Sequence, residues 1–207
     1  TVSFSGEHYQ LPLPDGPGKP LKLTIAPISE HIPIYLAAVG PKNLELAGEL
    51  ADGWLAIFYA SEFAPEQLDK LRSGRARVGK SLDGFDVVPS VPLVVGADPR
   101  RCADEVRGYA ALYLGGMGSR ERNFYNAHAV RMGFGETASI VQELFLSGRH
   151  RDAMAAVPFD FIDQTSLLGD RDRIAERLQM LAESGVTTCA LAPHGGSVEE
   201  KLNAVTV

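Results

Sequence analysis

The segment from Ile34 to Phe58 constrains the fold of this chain more than any other part of it. It reads IYLAAVGPKNLELAGELADGWLAIF and contains two short apolar runs, Ile34–Ala38 and Trp54–Phe58. Short, continuously apolar runs are typical of parallel strands that are buried on both faces. Between the runs, Pro41–Ala51 places its apolar residues on one side of a helix and its charged residues on another. The segment therefore predicts a strand, a helix and a strand in one parallel sheet.

The turn after the first apolar run has the composition of a ligand-binding turn. Gly40 allows the backbone to come close to a ligand, and Pro41 suits the first position of a helix, where its missing N–H costs nothing. The free N–H groups at the start of the following helix can bind a phosphate group. Many α/β proteins use the same strand–turn–helix spacing as plain connectivity, and the spacing alone favours that interpretation.

Two further apolar runs extend the predicted sheet to four strands. Val91–Val95 and Thr187–Leu191 are each followed by a helical pattern. Pro89 and Pro92 interrupt the stretch that contains the third strand. Because proline cannot donate within a ladder, we expect the first half of that stretch to be frayed or bulged. Asp98 and Asp170 are each predicted to cap the N-terminus of a helix.

Composition and charge narrow the classes of function. The chain has 207 residues and a hydrophobic fraction of 45%, which is ordinary for a globular protein. Its formal net charge of −6 argues against nucleic acid as a partner. No apolar run is long enough to span a bilayer and two cysteines make no disulfide framework, so we expect a cytoplasmic protein. The five histidines lack paired ligand spacing, and no nucleophile motif is present. These patterns predict neither a metal site nor covalent catalysis.

Several segments resemble the luciferase-like flavin and deazaflavin oxidoreductases, and most closely the branch that uses the deazaflavin coenzyme F420. The resemblance rests on IYLAAVGPKNLELAGELADGW, in which Ala-Ala-x-Gly-Pro precedes the helix, and on GGMGSRERNFYN, MGFG and DAMAAVP further along the chain. It covers nearly the whole chain and implies an α/β fold, the (β/α)8 TIM barrel, of which this chain is the second half. Residues 1–207 would then form a single domain with strands 5 to 8, a hairpin and proline-rich arm at 1–33 and a helical insertion at 115–168.

The number of predicted strands agrees with this implied half-barrel. Four strand–helix units do not close a barrel, which needs eight units and typically about 250 residues. The chain also begins at Thr1 without a methionine, and its opening resembles the middle of a longer protein. We therefore expect the first four units to be missing; an open four-stranded sheet with helices on both faces is the alternative. The expected partners are this missing N-terminal half, a small-molecule substrate and further copies of the chain in a homo-oligomer.

The resemblance also implies a function and a set of cofactor-binding residues. It implies an F420-dependent oxidoreductase that passes a hydride between the deazaflavin and an organic substrate. The alternatives are an FMN-dependent monooxygenase of the same fold and a barrel that binds a cofactor without catalysis. The backbone of Ala37, Ala38, Val39 and Gly40 is expected to contact the cofactor, while Pro41 shapes the turn. The acid–base residue is expected in the missing half of the barrel, so no catalytic residue is predicted in this chain.

Other residues near predicted strand ends have both a functional and a simpler interpretation. Lys42 could add charge near a phosphate, Tyr59 could form a pocket wall, and His194 could act as a proton donor. The simpler interpretations are an exposed helix lysine, a tyrosine packed at the rim, and a histidine that caps the last helix. The glycine-rich segment Leu114–Ser119 is interpreted as the end of a helix rather than as a phosphate loop.

Overall fold

The structure, a computed structural model, describes residues 3–19, 24–26, 28–195 and 197–206. The chain divides into two compact units, Thr1–Ile32 and Pro33–Val207. The boundary between the units is one residue before the predicted end of the arm at residue 33. Val2 of the predicted hairpin, and residues 20–23 and 27 of the predicted arm, lie outside the described residues.

The first unit contains the predicted hairpin, and the second alternates strands with helices. The hairpin pairs β1 (Phe4–Ser5) with β2 (Gln10–Leu11) in antiparallel fashion. The described strands of the second unit are β3 (Tyr35–Leu36), β4 (Gly53–Ile57), β5 (Asp86–Val95), β6 (Leu167–Gly169) and β7 (Ala190–Pro193). Its described helices are α1 (Pro41–Leu50), α2 (Ala64–Arg77), α3 (Pro99–Ala111), α4 (Phe124–Arg131), α5 (Gly135–Leu146), α6 (His150–Ala156), α7 (Phe159–Gln164), α8 (Arg171–Glu183) and α9 (Val198–Thr206). A π-helical segment, Leu112–Gly116, extends α3.

All strands described in the second unit belong to one parallel sheet. β4 pairs with β3 and with the first half of β5. Leu93 of β5 is paired with residues of both β6 and β7, so these two strands lie on opposite sides of β5. Ser90 is likewise paired with both β4 and β7. β4 and β6 therefore pair with the same side of β5, one after the other, and β7 pairs with the other side. Strands and helices that alternate around a parallel sheet confirm the predicted α/β class.

β5 is continuous despite its two prolines, so the predicted fraying of its first half is wrong. Pro89 is paired with Ala56 of β4, but the ladder with β7 begins only at Ser90. Pro92 lies in the gap between the end of the β4 ladder, at Ser90, and the start of the β6 ladder, at Leu93. Each proline thus lies where one flank of β5 has no paired strand among the described residues. A missing N–H at such a position costs no ladder hydrogen bond.

Side-chain hydrogen bonds accompany the shortening of the first sheet strand. The predicted strand Ile34–Ala38 is reduced to the two residues of β3. The Ile34 N–H donates to the Asp52 carboxylate at 2.8 Å, and the indole N–H of Trp54 donates to the Ala38 carbonyl oxygen at 2.8 Å. Backbone groups at both ends of the run are thus satisfied outside the ladder.

The remaining strand boundaries also differ from the prediction. The last strand begins at Ala190 rather than at Thr187. The Thr187 hydroxyl accepts a hydrogen bond from the Val87 N–H at 2.9 Å, so a side chain takes the place of the ladder at that point. β6 was not among the predicted strands, because three residues are too few to show a periodic pattern.

The packing of the second unit consists of two apolar clusters. One lies between the sheet and helices α1 and α2 and includes Leu44, Trp54 and Leu71. The other joins the strand ends to helices α3 to α7 and includes Phe58 and Phe161. None of the helices within the described ranges has both the length and the apolar character that a membrane span requires.

Candidate functional site

The carboxyl ends of the parallel strands bring the predicted site residues to one edge of the sheet. In parallel α/β sheets, ligands bind at this edge because helix N-termini and loops converge there. The chain leaves the sheet there at five positions in the described structure, namely Ala37 after β3, Phe58 after β4, Gly96 after β5, Asp170 after β6 and His194 after β7.

The start of α1 is open at this edge. Gly40 is the N-cap with φ −84° and ψ 155°, and no side chain caps the helix there. Pro41 is the first helical residue, as predicted. The first helical hydrogen bond runs from the Leu44 N–H to the Gly40 carbonyl oxygen at 2.9 Å, so the N–H groups of Lys42 and Asn43 precede the helical ladder. A Cβ atom added at Gly40 would meet nothing within 4 Å. This turn therefore has backbone donors together with open space, which is the chemistry that an anionic group requires.

Two carbonyl groups of the predicted contact segment are already bonded to the protein. The Ala38 carbonyl oxygen accepts from the indole N–H of Trp54, and the Val39 carbonyl oxygen accepts from the Arg131 guanidinium at 3.1 Å. Ala38 is buried, whereas Ala37 is exposed and Val39 is half-buried. Carbonyl oxygens only accept hydrogen bonds, so the groups here that can donate to an anionic ligand are the backbone N–H groups at the start of α1.

A basic residue far away in the chain reaches this turn. Lys42, the lysine considered from the sequence, is exposed on α1. Arg131 lies on α4, and its guanidinium is half-buried next to the Val39 carbonyl group. Sequence reasoning missed Arg131, because its helical segment gives no sign of which strand end it packs against.

Four aromatic residues packed together form a second part of the candidate site, which we call the aromatic wall: Phe58, Tyr109, Tyr113 and Tyr125. Phe58 is buried behind the three tyrosines' half-buried rings, so only the tyrosines can face a ligand. Phe58 follows β4 with φ 49°, a left-handed conformation that bulky residues rarely adopt. Its ring centroid lies 5.6 Å from that of Tyr109 and 5.7 Å from that of Tyr113. Tyr113 also packs edge-on against Tyr125 at 4.8 Å. Burial and the neighbouring Tyr113 raise the pKa of the Tyr109 hydroxyl, which therefore stays protonated at neutral pH.

His194 lies beside the aromatic wall at the end of β7. Its ring centroid is 5.8 Å from that of Tyr109, and it lines a cleft of about 580 Å³ together with Val95, Glu105 and Asn203. Burial, followed by the charge of Lys201, lowers the pKa of His194, so the ring is neutral at pH 7.

Two simpler interpretations made from the sequence have different outcomes. The capping role considered for His194 is wrong, because the Glu200 N–H bonds to the Ser197 hydroxyl at 3.1 Å and Ser197 therefore caps α9. Tyr59 is almost fully buried, and its hydroxyl bonds to Ser184 at the end of α8 at 3.0 Å. Tyr59 is therefore a packing residue and not a pocket wall.

Caps and glycines elsewhere have structural roles. Asp98 accepts from the Arg100 N–H at 2.9 Å and Asp170 from the Arg173 N–H at 3.0 Å, which confirms both predicted N-caps. In the glycine-rich segment, Gly115 and Gly116 allow the π-helical backbone to approach Phe145, whose side chain a Cβ atom would overlap. Within the described ranges, no three His, Cys, Asp or Glu side chains are grouped as a metal site would require.

Comparison with known sequences gives this geometry a family context. Residues 1–188 match the family model described as luciferase-like monooxygenase. One relative is a protein of Mycobacterium tuberculosis whose name assigns it provisionally to the coenzyme F420-dependent oxidoreductases. It is 36% identical over 205 residues, which cover 96% of this chain and 58% of that protein. The 5,10-methylenetetrahydromethanopterin reductase of Archaeoglobus fulgidus is 32% identical over 163 residues, which cover 75% of this chain and 46% of the reductase.

A solved structure shows a similar fold. The coenzyme F420-dependent tetrahydromethanopterin reductase of Methanopyrus kandleri superposes with a TM-score of 0.67 at 26% sequence identity, over 84% of this chain and 49% of the reductase. The chain thus spans about half the length of the proteins that it matches.

Proposed function

The chain belongs to the luciferase-like monooxygenase family, and from this premise we propose that it holds the cofactor of a coenzyme F420-dependent oxidoreductase. The observation that carries the proposal is the open start of α1 at Gly40, at the carboxyl edge of the parallel sheet. The names of the Mycobacterium tuberculosis relative and of the Methanopyrus kandleri structure both contain coenzyme F420, which supports the choice of cofactor.

The residues at this edge fit a cofactor with a phosphate-bearing arm. Ala37, Ala38, Val39 and Gly40 would contact it through the backbone, and Pro41 fixes the start of the helix whose N–H groups face the anion. The space beside Gly40 is free of protein atoms to at least 4 Å from an added Cβ. When bound, coenzyme F420 supplies a deazaflavin ring that accepts or donates a hydride.

The aromatic wall and His194 would form the substrate-binding side of the site. Rigid, packed rings orient a bound molecule and exclude water from the edge of the sheet. His194 is neutral and half-buried in the cleft, so it can donate or accept a hydrogen bond there without a charge. No proton transfer is assigned to a residue of this chain.

We further propose that the chain forms half of a (β/α)8 barrel, with the other half supplied by another segment. Among the described residues, β3, β6 and β7 each pair with one strand only, which leaves the outer side of each of them open. Leu55 in the middle of β4 and Leu191 in β7 are 44% and 42% exposed, although central strand residues of a barrel are normally packed. The two-fold difference in length from the relatives also supports this proposal.

A fluorescence titration of the complete natural polypeptide with coenzyme F420 and, separately, with FMN tests the proposed function. Binding of coenzyme F420 with clear preference over FMN, followed by hydride transfer in the loaded protein, is the expected result. Preference for FMN would overturn it in favour of a flavin-dependent monooxygenase. Binding of coenzyme F420 without turnover of any organic substrate would instead favour a non-catalytic, cofactor-binding barrel.

A further inference from the structure

The polar side chains on the inward side of α4 all bond to backbone carbonyl groups of other elements. Asn123, the N-cap, donates to the Tyr113 and Leu114 carbonyl oxygens at 2.9 and 3.0 Å. One turn later, Asn126 donates to carbonyl groups of the π-helical segment and of α5. His128 and Arg131 then reach the strand ends. α4 therefore connects the helical region between β5 and β6 to the carboxyl edge of the sheet.

His128 holds the backbone of a strained residue. It is 1% exposed, and its Nε2 atom lies 3.2 Å from the Phe58 carbonyl oxygen. A carbonyl oxygen only accepts, so the proton of the neutral ring is on Nε2 and donates to it. Phe58 has φ 49°, a conformation that persists only where the surroundings hold it. The hydrogen bond thus contributes to keeping Phe58 in the aromatic wall.

Arg131 holds the residue immediately before the open turn. Its Nη2 atom donates to the Val39 carbonyl oxygen at 3.1 Å, and Val39 precedes Gly40, the N-cap of α1. A hydrogen bond from a charged donor is stronger than a neutral one and restricts the peptide that it binds. Because the peptide is planar and trans, holding the Val39 carbonyl group also fixes the direction of the Gly40 N–H at the N-cap of α1.

We propose that His128 and Arg131 are positioning residues, through which α4 holds the Val39 and Phe58 carbonyl groups and thereby fixes both the turn proposed for the cofactor and the aromatic wall on the substrate side. This inference rests on the proposed function, because it names the residues that preorganise that same site. Preorganised donors bind a ligand more tightly because less ordering remains to be done on binding.

The central experiment compares variants of Arg131 in the complete natural polypeptide. Arg131→Met keeps most of the length and removes the donor, whereas Arg131→Lys keeps a charge and a donor. Arg120→Met is the matched control, because Arg120 is an exposed arginine whose guanidinium pairs with Glu143 of α5 rather than with a carbonyl group at a strand end. We expect Arg131→Met to raise the Kd for coenzyme F420 about tenfold, which corresponds to about 1.4 kcal/mol. Arg131→Lys should recover part of the loss, and Arg120→Met should stay within about twofold of the wild type.

A second readout separates positioning from general stability. We expect the Tm of Arg131→Met to stay close to that of Arg120→Met, while amide hydrogen exchange over residues 39–44 of the cofactor-free protein becomes faster only in Arg131→Met. A Kd and an exchange rate equal to those of the control would overturn the inference, even if the wild type binds coenzyme F420. If the wild type bound neither F420 nor FMN, the proposed function would fail. The exchange measurement alone would then decide whether α4 orders the turn.

Discussion

The glycine at the start of α1 allows a direct test of the candidate site. Gly40 has a negative φ and no protein atom near an added Cβ, so a valine there meets no steric conflict within the fold. Its side chain would instead occupy the space in which we place the cofactor. We therefore expect Gly40→Val to weaken coenzyme F420 binding by at least about a hundredfold while the Tm changes little, as measured by titration and thermal unfolding.

A second glycine at a helix start provides the control for this variant. Gly135 is the first residue of α5, and a Cβ added there makes only an ordinary contact with Val130 at 3.7 Å. Gly135→Val should leave coenzyme F420 binding unchanged. Equal binding by wild type and Gly40→Val would remove Gly40 from the site.

The buried histidine of α4 makes a prediction about stability and pH. Burial lowers the pKa of His128 to about 4, whereas a histidine in the unfolded chain titrates near 6.5. The unfolded state therefore binds a proton first as the pH falls. The contribution of the neutral ring is fully present above pH 6.5 and is lost as the pH falls toward 4, at a cost of about 3 kcal/mol in unfolding free energy.

Denaturant unfolding at pH 7 and at pH 4.5 measures this effect. His128→Gln keeps an N–H donor but does not titrate, so its stability should fall by about 2–3 kcal/mol less than that of the wild type between the two pH values. His8→Gln, at an exposed position of the hairpin, should follow the wild type. Parallel pH dependence in wild type and His128→Gln would contradict the assignment of the effect to His128.

At the scale of elements, helices α1 and α2 pack so closely that a side chain at either of the contact glycines would overlap the other helix. A Cβ added at Gly74 would lie 1.9 Å from the Glu45 carbonyl oxygen, and one at Gly48 would lie 2.2 Å from the Leu71 carbonyl oxygen. These are backbone atoms, so the helices must separate to relieve the overlap. We expect Gly74→Ala to lower the free energy of unfolding by about 3 kcal/mol, measured by denaturant unfolding.

Gly108 in the middle of α3 is the matched control for this substitution. A Cβ added there lies 3.3 Å from the terminal methyl group of Met154, which is the flexible end of a side chain. Alanine has the higher helix propensity, so Gly108→Ala should stabilise the protein by up to about 1 kcal/mol. A small, similar effect of both substitutions would show that the close α1–α2 approach does not constrain these positions.

At the scale of the whole molecule, the exposed leucine of β4 tests whether another segment covers the sheet. Leu55 on β4 and Leu146 at the end of α5 are both 44% exposed. If a second half of the barrel covers β4 in the complete natural polypeptide, Leu55→Ser should lower the free energy of unfolding by about 2 kcal/mol, and Leu146→Ser by about 0.5 kcal/mol or less. Equal, small losses measured by denaturant unfolding would contradict the half-barrel proposal.

Short-range patterns were sufficient to predict most elements and their caps. The apolar runs, the proline that starts α1 and the aspartates at 98 and 170 act over a few residues, so their effects can be recognised locally. The α/β class and the turn at Gly40 follow from the same local signals. The predicted fraying of β5 failed because the cost of a proline depends on which flank of the strand is paired, and pairing is a property of the sheet.

Only the tertiary structure decided which side chains hold the site. Arg131 bonds to a carbonyl group 92 positions earlier in the chain, and His128 to one 70 positions earlier. The aromatic wall likewise joins the end of β4 to α3 and α4. Contacts over such separations depend on how helices pack on the sheet. Local propensity determines where a helix begins and ends, but it does not determine which strand end a residue on that helix reaches.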